Sequence, residues 1–427
     1  MHAAKFIRTA VLSFCAPPRR GAGALHLRSV LPISEKLEEA GAVATDARHG
    51  TPGGYELMTR SDDFCGSFIV SAGAKDAPSK SAKSKAGASR SKAGASRRTL
   101  PKIVSLFSGA GGLDLGFKEA GFTIAVAIDS ADAAIRTHKK NFPRTKAVVG
   151  DLIKLRPAGV VEQVTSRLQP GERIAVIGGP PCQGFSRANT GSLSDDPRNQ
   201  LPRLYLDIVG ALQRLYTVEF IVFENVLGIR DKKHAKTYSA LMQGIVDLGF
   251  DVTEKDLCSA DFGVPQNRRR IVLSGMRAGQ GYAEVVPRKR KGLETVREAI
   301  GGLKAPTFFK YGLQSKDFPE HPNHWTMQPK SPRFESPEAE TGDGRSFKRL
   351  NWNAASPTIA YGHREIHVHP DGRRRLSIYE ALLLQGFPND FVLEGNLSEQ
   401  VEQVSNAVPP PLARSVANAV KLALRAH

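Results

Sequence analysis

The stretch "RIAVIGGPPCQGFS", Arg173 to Ser186, decides how the chain is read. Its first part is an apolar run of strand length. Its second part is a loop of glycines and prolines with one cysteine in it. A cysteine kept for packing sits inside a strand as a small hydrophobe. Cys182 instead comes just after the strand, where open α/β sheets present reacting groups. The reading therefore turns on whether such strands recur, and on which residues stand at their ends.

They do recur. "KIVSLF" from Lys102, "TIAVAI" from Thr123, "KAVVG" from Lys146, "EFIVF" from Glu219 and "RRIVLSGM" from Arg269 all read as strands. Between them, "SADAAIRTHKKNF", "LYLDIVGALQRLY" and "YSALMQGIVDLGF" carry apolar residues at helical spacing. This alternation predicts an α/β fold, a doubly wound, mostly parallel sheet with helices on both faces. The regularity breaks from about Val286 to Phe347, where Pro, His, Lys and Asn crowd together in "KDFPEHPNHWTMQPKSPRF". A small, irregular second domain is expected there. "SIYEALLLQGF" and "PPLARSVANAVKLAL" then read as helices again. The expected organisation is an extension over 1–98, a main α/β domain over 99–285, an irregular region over 286–375, and helices returning to the main domain over 376–427.

The bulk numbers agree with a basic, globular chain. It has 427 residues, 41% hydrophobic, and 60 Lys+Arg against 42 Asp+Glu leave a net charge of +18. An excess of this size favours a polyanionic partner, most simply nucleic acid. No apolar run is long enough to span a bilayer. The four cysteines (Cys15, Cys65, Cys182, Cys258) lie far apart with no CxxC pair, which argues against a disulfide framework or a structural zinc. His363, His367 and His369 in "GHREIHVHP" lack cysteine partners and the usual zinc spacings, so no metal is expected and they read as part of a strand near the partner.

The first hundred residues differ. "KDAPSKSAKSKAGASRSKAGASRRTLPK", from Lys75 to Lys102, contains the near-repeat "SKAGASR". Small residues and lysines bury too little apolar surface to fold, so a basic linker is expected. Met1 to Pro32 holds arginines and no acid, the composition of an organellar transit peptide. The preferred reading is that translation begins further in, at Met58 or later.

Ligands of a doubly wound sheet bind beyond the carboxyl ends of its strands. The ends of the first five strands carry "FSGAGG", Asp129, Gly150-Asp151, "GGPPCQGFS" and "ENV". That is a density of chemistry expected of an active site. Gly109, Gly111 and Gly112 form a turn that lets backbone approach a ligand closely. The position three after Gly111 is Asp114, so the dinucleotide fingerprint fails. A nucleoside cofactor without a pyrophosphate fits better, and S-adenosylmethionine is the common one. Asp129 is placed to accept from ribose hydroxyls, Asp151 from the adenine amino group, and Phe107 to lie against the purine.

In order along the chain, "LFSGAGGLDLGF", "GGPPCQGFS", "ENV", "QNRRR", "RRLSIYEALLLQGFP" and "VSNAVPPPLARSVANAV" resemble the motif set of the DNA (cytosine-5)-methyltransferases. The resemblance runs from about Lys102 to the C-terminus. Three departures stand out: Ser105 where the family usually has an acid, Asp129 where it often has glutamate, and Ser405 where "GNAVP" has glycine. The resemblance implies a Rossmann-like methyltransferase fold. It also implies methyl transfer from S-adenosylmethionine to carbon-5 of a cytosine flipped out of duplex DNA. Cys182 would be the nucleophile at carbon-6, its thiolate favoured by nearby cations. Glu224 would serve ring nitrogen 3 if burial raises its pKa. Arg270 would hold the base carbonyl and Arg268 would orient Glu224 or Cys182. Asn406 and Val408 would border the cofactor. Gln183 and Ser186 would close over the flipped base, with Gln266 also on the DNA side. The irregular region would be the target-recognition domain, with Asn323, His324 and Arg333 as candidates for base contact. No side chain stands out as the base that removes the carbon-5 proton. The setting implied is a restriction-modification system in a bacterial cytoplasm, at the nucleoid, with residues 1–32 as an organellar signal the lesser alternative. The enzyme would act as a monomer, beside a cognate endonuclease that shares its site without a stable complex. A transfer-RNA cytosine methyltransferase on the same scaffold and a catalytically inactive DNA-binding regulator are the competing readings.

Overall fold

The apolar runs assemble into one seven-stranded sheet of order β3-β2-β1-β4-β5-β8-β6. The structure is a computed structural model; it describes residues 99–181, 200–313, 317–318, 320–335, 347–358 and 367–425. These all fall in one compact unit, Ala95–His427. The sheet strands are β1 (Lys102–Leu106), β2 (Ile124–Asp129), β3 (Lys146–Val149), β4 (Arg173–Gly178), β5 (Thr217–Asn225), β6 (Phe250–Cys258) and β8 (Arg269–Arg277), with the two-residue β7 (Gln266–Asn267) between the last two. β1 to β5 run parallel, while β8 is antiparallel to both neighbours, β5 and β6.

The order reverses between β1 and β4, so the loops after β1 and β4 diverge and open a crevice. Helices α1 (Gly112–Glu119), α2 (Asp132–Asn141), α3 (Leu152–Thr165), α4 (Leu201–Gln213) and α5 (Ala235–Asp247) connect the strands. α3 is broken at Arg156, which takes φ 56° just before Pro157. The sequence pattern does not predict β6. It is an edge strand with most of "DVTEKD" only half-buried, and its charges hide the apolar signature that the inner strands show.

Period-two alternation sends successive residues to opposite faces, and here both faces are covered. Val104, Leu106, Val126 and Ile128 join one core with Tyr205, Val209 and Leu212 of α4. Ile103, Ile124, Ile177 and Val222 join the other, with Phe117 of α1 and Leu412, Val416 and Val420 of the last helix. Burial on both faces is why these strands read as continuous apolar runs.

The rest of the chain adds α6 (Val296–Ile300), α7 (Ile378–Leu384), α8 (Leu397–Asn406) and α9 (Pro410–Arg425), with short two-stranded pairs. Residues from 286–375 and from the C-terminal helices share a third core: Val296, Trp325 and Leu350 pack in one cluster with Leu382, Phe391 and Leu115. No helix among the described residues is long and apolar enough to cross a membrane.

α9 lies across α1 at Gly116. A Cβ on Gly116 would stand 2.4 Å from the Ala413 Cβ and 2.4 Å from the Arg414 nitrogen. Alanine normally favours a helix interior over glycine by about 1 kcal/mol, but here the methyl would force the helices apart. Gly116→Ala should therefore lower stability, by about 1–3 kcal/mol. Chemical denaturation of both proteins measures this, and a more stable variant would contradict the close crossing.

Candidate active site

The carboxyl ends of β1, β2, β4 and β5 open into a cavity of about 520 Å³. One side of it is built by the turn after β1. Phe107 (φ 54°), Gly109 (φ 52°) and Gly111 (φ 95°) all take left-handed backbone, a conformation costly for a phenylalanine. The turn is held by Asp129 at the end of β2. Its Oδ2 accepts from the Gly109 amide at 2.8 Å and its Oδ1 from the Ala131 amide at 2.9 Å. Burial pushes the Asp129 carboxyl up, against the amide hydrogen bonds that pull it down. Each of its oxygens keeps a further lone pair for a ligand.

Asp151 caps α3, its Oδ1 accepting from the Ile153 amide at 2.9 Å, and it lines the same cavity. The C-terminal segment closes the wall. A Cβ on Gly112 would meet the Val408 carbonyl at 2.2 Å, so only glycine admits that segment. Val408 and Asn406 both line the cavity. Ser405, which stands where the "GNAVP" pattern has glycine, lies inside α8 and returns its hydroxyl to the Val401 carbonyl at 3.0 Å. The serine thus meets no backbone penalty.

Behind the turn lies a buried polar chain. Ser105 Oγ donates to Asp114 Oδ1 at 2.5 Å, and Asp114 Oδ2 meets His138 Nε2 at 2.7 Å. The His138 ring stacks on Phe142 with centroids 4.2 Å apart. Ser105, Asp114 and His138 come from β1, α1 and α2, so the chain ties together three elements around the turn. Of these residues the sequence singles out Ser105, as a departure from the family pattern, and Asp114 only as the position that breaks the dinucleotide fingerprint; an aspartate and a histidine at distant positions carry no local signal that they will meet.

The other side of the cavity holds Glu224, at the end of β5, against Arg270 on β8. Arg270 Nε lies 2.9 Å from Glu224 Oε1. The Glu224 side chain is 9% exposed. Burial raises its pKa, and the nearby Arg270 and Arg268 charges pull against that rise. Arg268 and Arg270 are buried while Arg269 between them is exposed, the alternation of a strand entry. Gly179, in the loop after β4, leaves room for the carboxylate: a Cβ there would lie 2.8 Å from Glu224 Oε2. Asn225 Nδ2 donates to the Pro180 carbonyl at 3.3 Å, fastening that loop to the end of β5. Gly179, Pro180 and Pro181 line the cavity together with Glu224, Arg268 and Arg270. Cys182, the next residue, lies outside the described residues, as do Gln183 and Ser186.

Other expected site residues are not brought to this cavity. Gln266 is fully buried, its Nε2 donating to the Leu384 carbonyl at 3.3 Å, so it does not face a duplex. Asn323 and His324, each 1% exposed, are interior too. His324 meets Ser377 Oγ at 2.9 Å and the Lys304 carbonyl at 2.8 Å. Asn323 makes three side-chain hydrogen bonds inside the protein. Neither side chain is free to read bases. Arg333 is exposed and sits over the Phe347 ring at 5.6 Å. His367 is buried in a two-residue strand (His367–Val368), and His369 pairs with Asp371 at 3.0 Å; His363 lies outside the described residues.

Comparison with known proteins gives consistent matches. Residues 101–422 match the C-5 cytosine-specific DNA methylase family. The type II methyltransferase M.MthTI of Methanothermobacter thermautotrophicus is 33% identical over 344 residues, covering 75% of this chain and 96% of its own length. M1.HphI of Haemophilus parahaemolyticus is 34% identical over 330 residues, covering 74% and 86%. A solved structure of a putative DNA modification methyltransferase from an Escherichia coli prophage superposes with TM-score 0.63 at 26% identity, covering 76% of this chain and 99% of that one.

The raised Glu224 pKa has a consequence for stability. A carboxyl with a folded pKa above its unfolded value holds its proton more tightly when folded. Its contribution is full below the unfolded pKa and is lost as pH rises through the folded one. Glu224→Gln should therefore flatten the decline of unfolding free energy with rising pH above the ordinary carboxylate range. Denaturant titrations at several pH values test this; parallel slopes in the two proteins would show that Glu224 is not perturbed.

Proposed function

The chain belongs to the C-5 cytosine-specific DNA methylase family, and on that premise we propose how its residues carry out the reaction. It is a DNA cytosine-5 methyltransferase. The observation that carries the reading is the continuity of the cavity. One end has a glycine turn and two aspartates suited to a nucleoside, and the other has a buried carboxyl paired with arginine.

S-adenosylmethionine fits the first end. Gly112 offers no side chain, Asp129 keeps acceptor capacity at the end of β2, and Phe107 supplies an apolar ring at the cavity wall. Bound there, S-adenosylmethionine supplies an electrophilic methyl group. Phe107, Asp129 and Asp151 would hold its nucleoside, with Val408 and Asn406 at its border.

Carbon-5 of cytosine is a poor nucleophile until the ring's aromaticity is broken. Cys182, one residue beyond cavity-lining Pro181, would add as thiolate to carbon-6 and leave electron density on carbon-5. Addition also sends negative charge to ring nitrogen 3. Glu224, with its raised pKa, would retain a proton to donate there. Arg270 holds Glu224 in position and its guanidinium would also serve the base carbonyl. Arg268 adds a second buried cation near the carboxyl. A water would take the carbon-5 proton, and its electron pair would restore the carbon-5–carbon-6 double bond and expel the Cys182 thiolate from carbon-6. The target base must leave the duplex to reach this depth, with Gln183 and Ser186 closing over it.

The charge of +18 suits a DNA partner. The region 286–375 is the candidate for target recognition, with Arg333 as an exposed contact, and 1–98 a basic extension. The relatives named as type II methyltransferases support a place in a restriction-modification system; the enzyme would act there as a monomer in the bacterial cytoplasm.

Cys182→Ser should reduce methyl transfer to background while leaving DNA binding intact, because a serine hydroxyl does not ionise near neutral pH. DNA containing 5-fluorocytosine should trap the wild-type protein covalently, since fluorine cannot leave as a proton. Bisulfite sequencing of methylated plasmid and a parallel assay on transfer RNA read the outcome. Turnover by the serine variant would overturn the role of Cys182, and transfer to transfer RNA alone would overturn the DNA substrate.

A further inference from the structure

Among the side chains that the irregular region buries against the rest of the chain is Asn323. Asn323 Nδ2 donates to the Leu393 carbonyl at 3.0 Å and to Gln400 Oε1 at 3.1 Å, and Asn323 Oδ1 accepts from the Leu393 amide at 2.8 Å. Its own carbonyl accepts from the amides of Trp325 at 3.0 Å and Tyr379 at 2.9 Å. An asparagine 1% exposed with every polar atom spent inside is holding other parts of the chain in register.

The segment it holds leads to the cavity. The bonded loop continues through Glu394 and Gly395. The Glu394 amide donates to Thr137 Oγ1 at 2.8 Å, and the Gln403 side chain donates to the Glu394 carbonyl at 2.9 Å. Thr137 Oγ1 in turn donates to Gln403 Oε1 at 2.6 Å. Gln400 donates to the Gly395 carbonyl at 2.8 Å. Gly395 packs so closely on α2 that a Cβ there would stand 2.9 Å from that of Ala133. Ala133 and Gln403 both line the cavity beside Asp129. Two sets of hydrogen bonds, joined by the Leu393–Gly395 backbone, therefore connect Asn323 to the cofactor-side wall formed by α2 and α8, and neither Asn323 nor Thr137 lines the cavity itself.

We propose that Asn323 is a positioning residue for the cofactor: through the Leu393–Gly395 loop it sets the spacing of α2 and α8, and so the width of the pocket between them. The inference rests on the reading of that pocket as the S-adenosylmethionine site. It gives the irregular region a second task, separate from any contact with bases.

The test uses the full chain and S-adenosylmethionine binding measured by calorimetry without DNA, followed by a survey of methylated sites. Asn323→Ala should raise the Kd for S-adenosylmethionine about tenfold, the effect of losing one or two effective hydrogen bonds. The KM for the cofactor should rise with it, while kcat at saturation and the methylated sequence stay the same. Thr137→Val attacks the same relay from the cavity end and should raise the Kd similarly. Because the two act in series, the double variant should be no weaker than the worse single one. Thr137→Val also decides the matter alone if Asn323→Ala does not fold. A folded variant of either kind with wild-type affinity would overturn the proposal, and so would a changed methylation site with unchanged affinity. Failure of the wild-type protein to bind S-adenosylmethionine would instead overturn the reading of the pocket.

Discussion

The reversed strand β8 is the constraint on which the site depends. Every other strand of the sheet runs with β5, so each delivers its carboxyl end to the cavity edge. β8 runs the other way between β5 and β6, and it therefore delivers its amino end there. That end carries Arg268 and Arg270. The carboxyl end of its neighbour β5 carries Glu224, and the Arg270–Glu224 contact at 2.9 Å comes from this antiparallel pairing. A parallel β8 would have sent the arginines to the opposite edge of the sheet and left a buried carboxyl without its cations. Breaking such a buried pair by removing one partner costs several kcal/mol. Strand direction and charge placement are thus mutually dependent.

The cavity is shaped as much by missing atoms as by present ones. Gly112 admits the Val408 carbonyl and Gly179 admits the Glu224 carboxylate. A methyl at either would push apart segments that lie far apart along the chain in one case and across a strand pair in the other. The apolar core supports this from below. Phe117, Phe122 and Phe220 pack at 5.4 to 6.1 Å on the face where α1 meets α9. That packing holds the last helix against the first and so returns the C-terminal segment to the cavity wall.

The irregular region is where the sequence misleads most. Asn323 and His324 are polar residues in a proline-rich stretch, which suggests a surface. Their neighbours in space are Leu393, Gln400, Ser377 and the Lys304 carbonyl. Buried polar groups are satisfied by partners from anywhere in the chain, and most of these partners are distant in sequence. Gln266 misleads in the same way. Its position beside the arginines suggests a shared role, yet it packs inward against Leu384 while Arg268 and Arg270 turn to the cavity.

By itself the sequence determined the sheet's inner strands, because residues buried on both faces must be apolar wherever they pair. It also marked which residues stand at the strand ends around the cavity, since a glycine turn, two aspartates, "ENV" and alternate arginines are local patterns that need no knowledge of packing. It did not reveal β6, whose edge position lets charged residues stand in a strand. Nor could it show that Asp114 meets His138, that Gly112 lies under Val408, or that Asn323 is tied to the wall of the cavity. Those contacts join residues set together only when helices α2, α8 and α9 close on the sheet. Only the tertiary structure decided them, because a polar or small residue has the same local signature whether it faces solvent or a distant part of the chain.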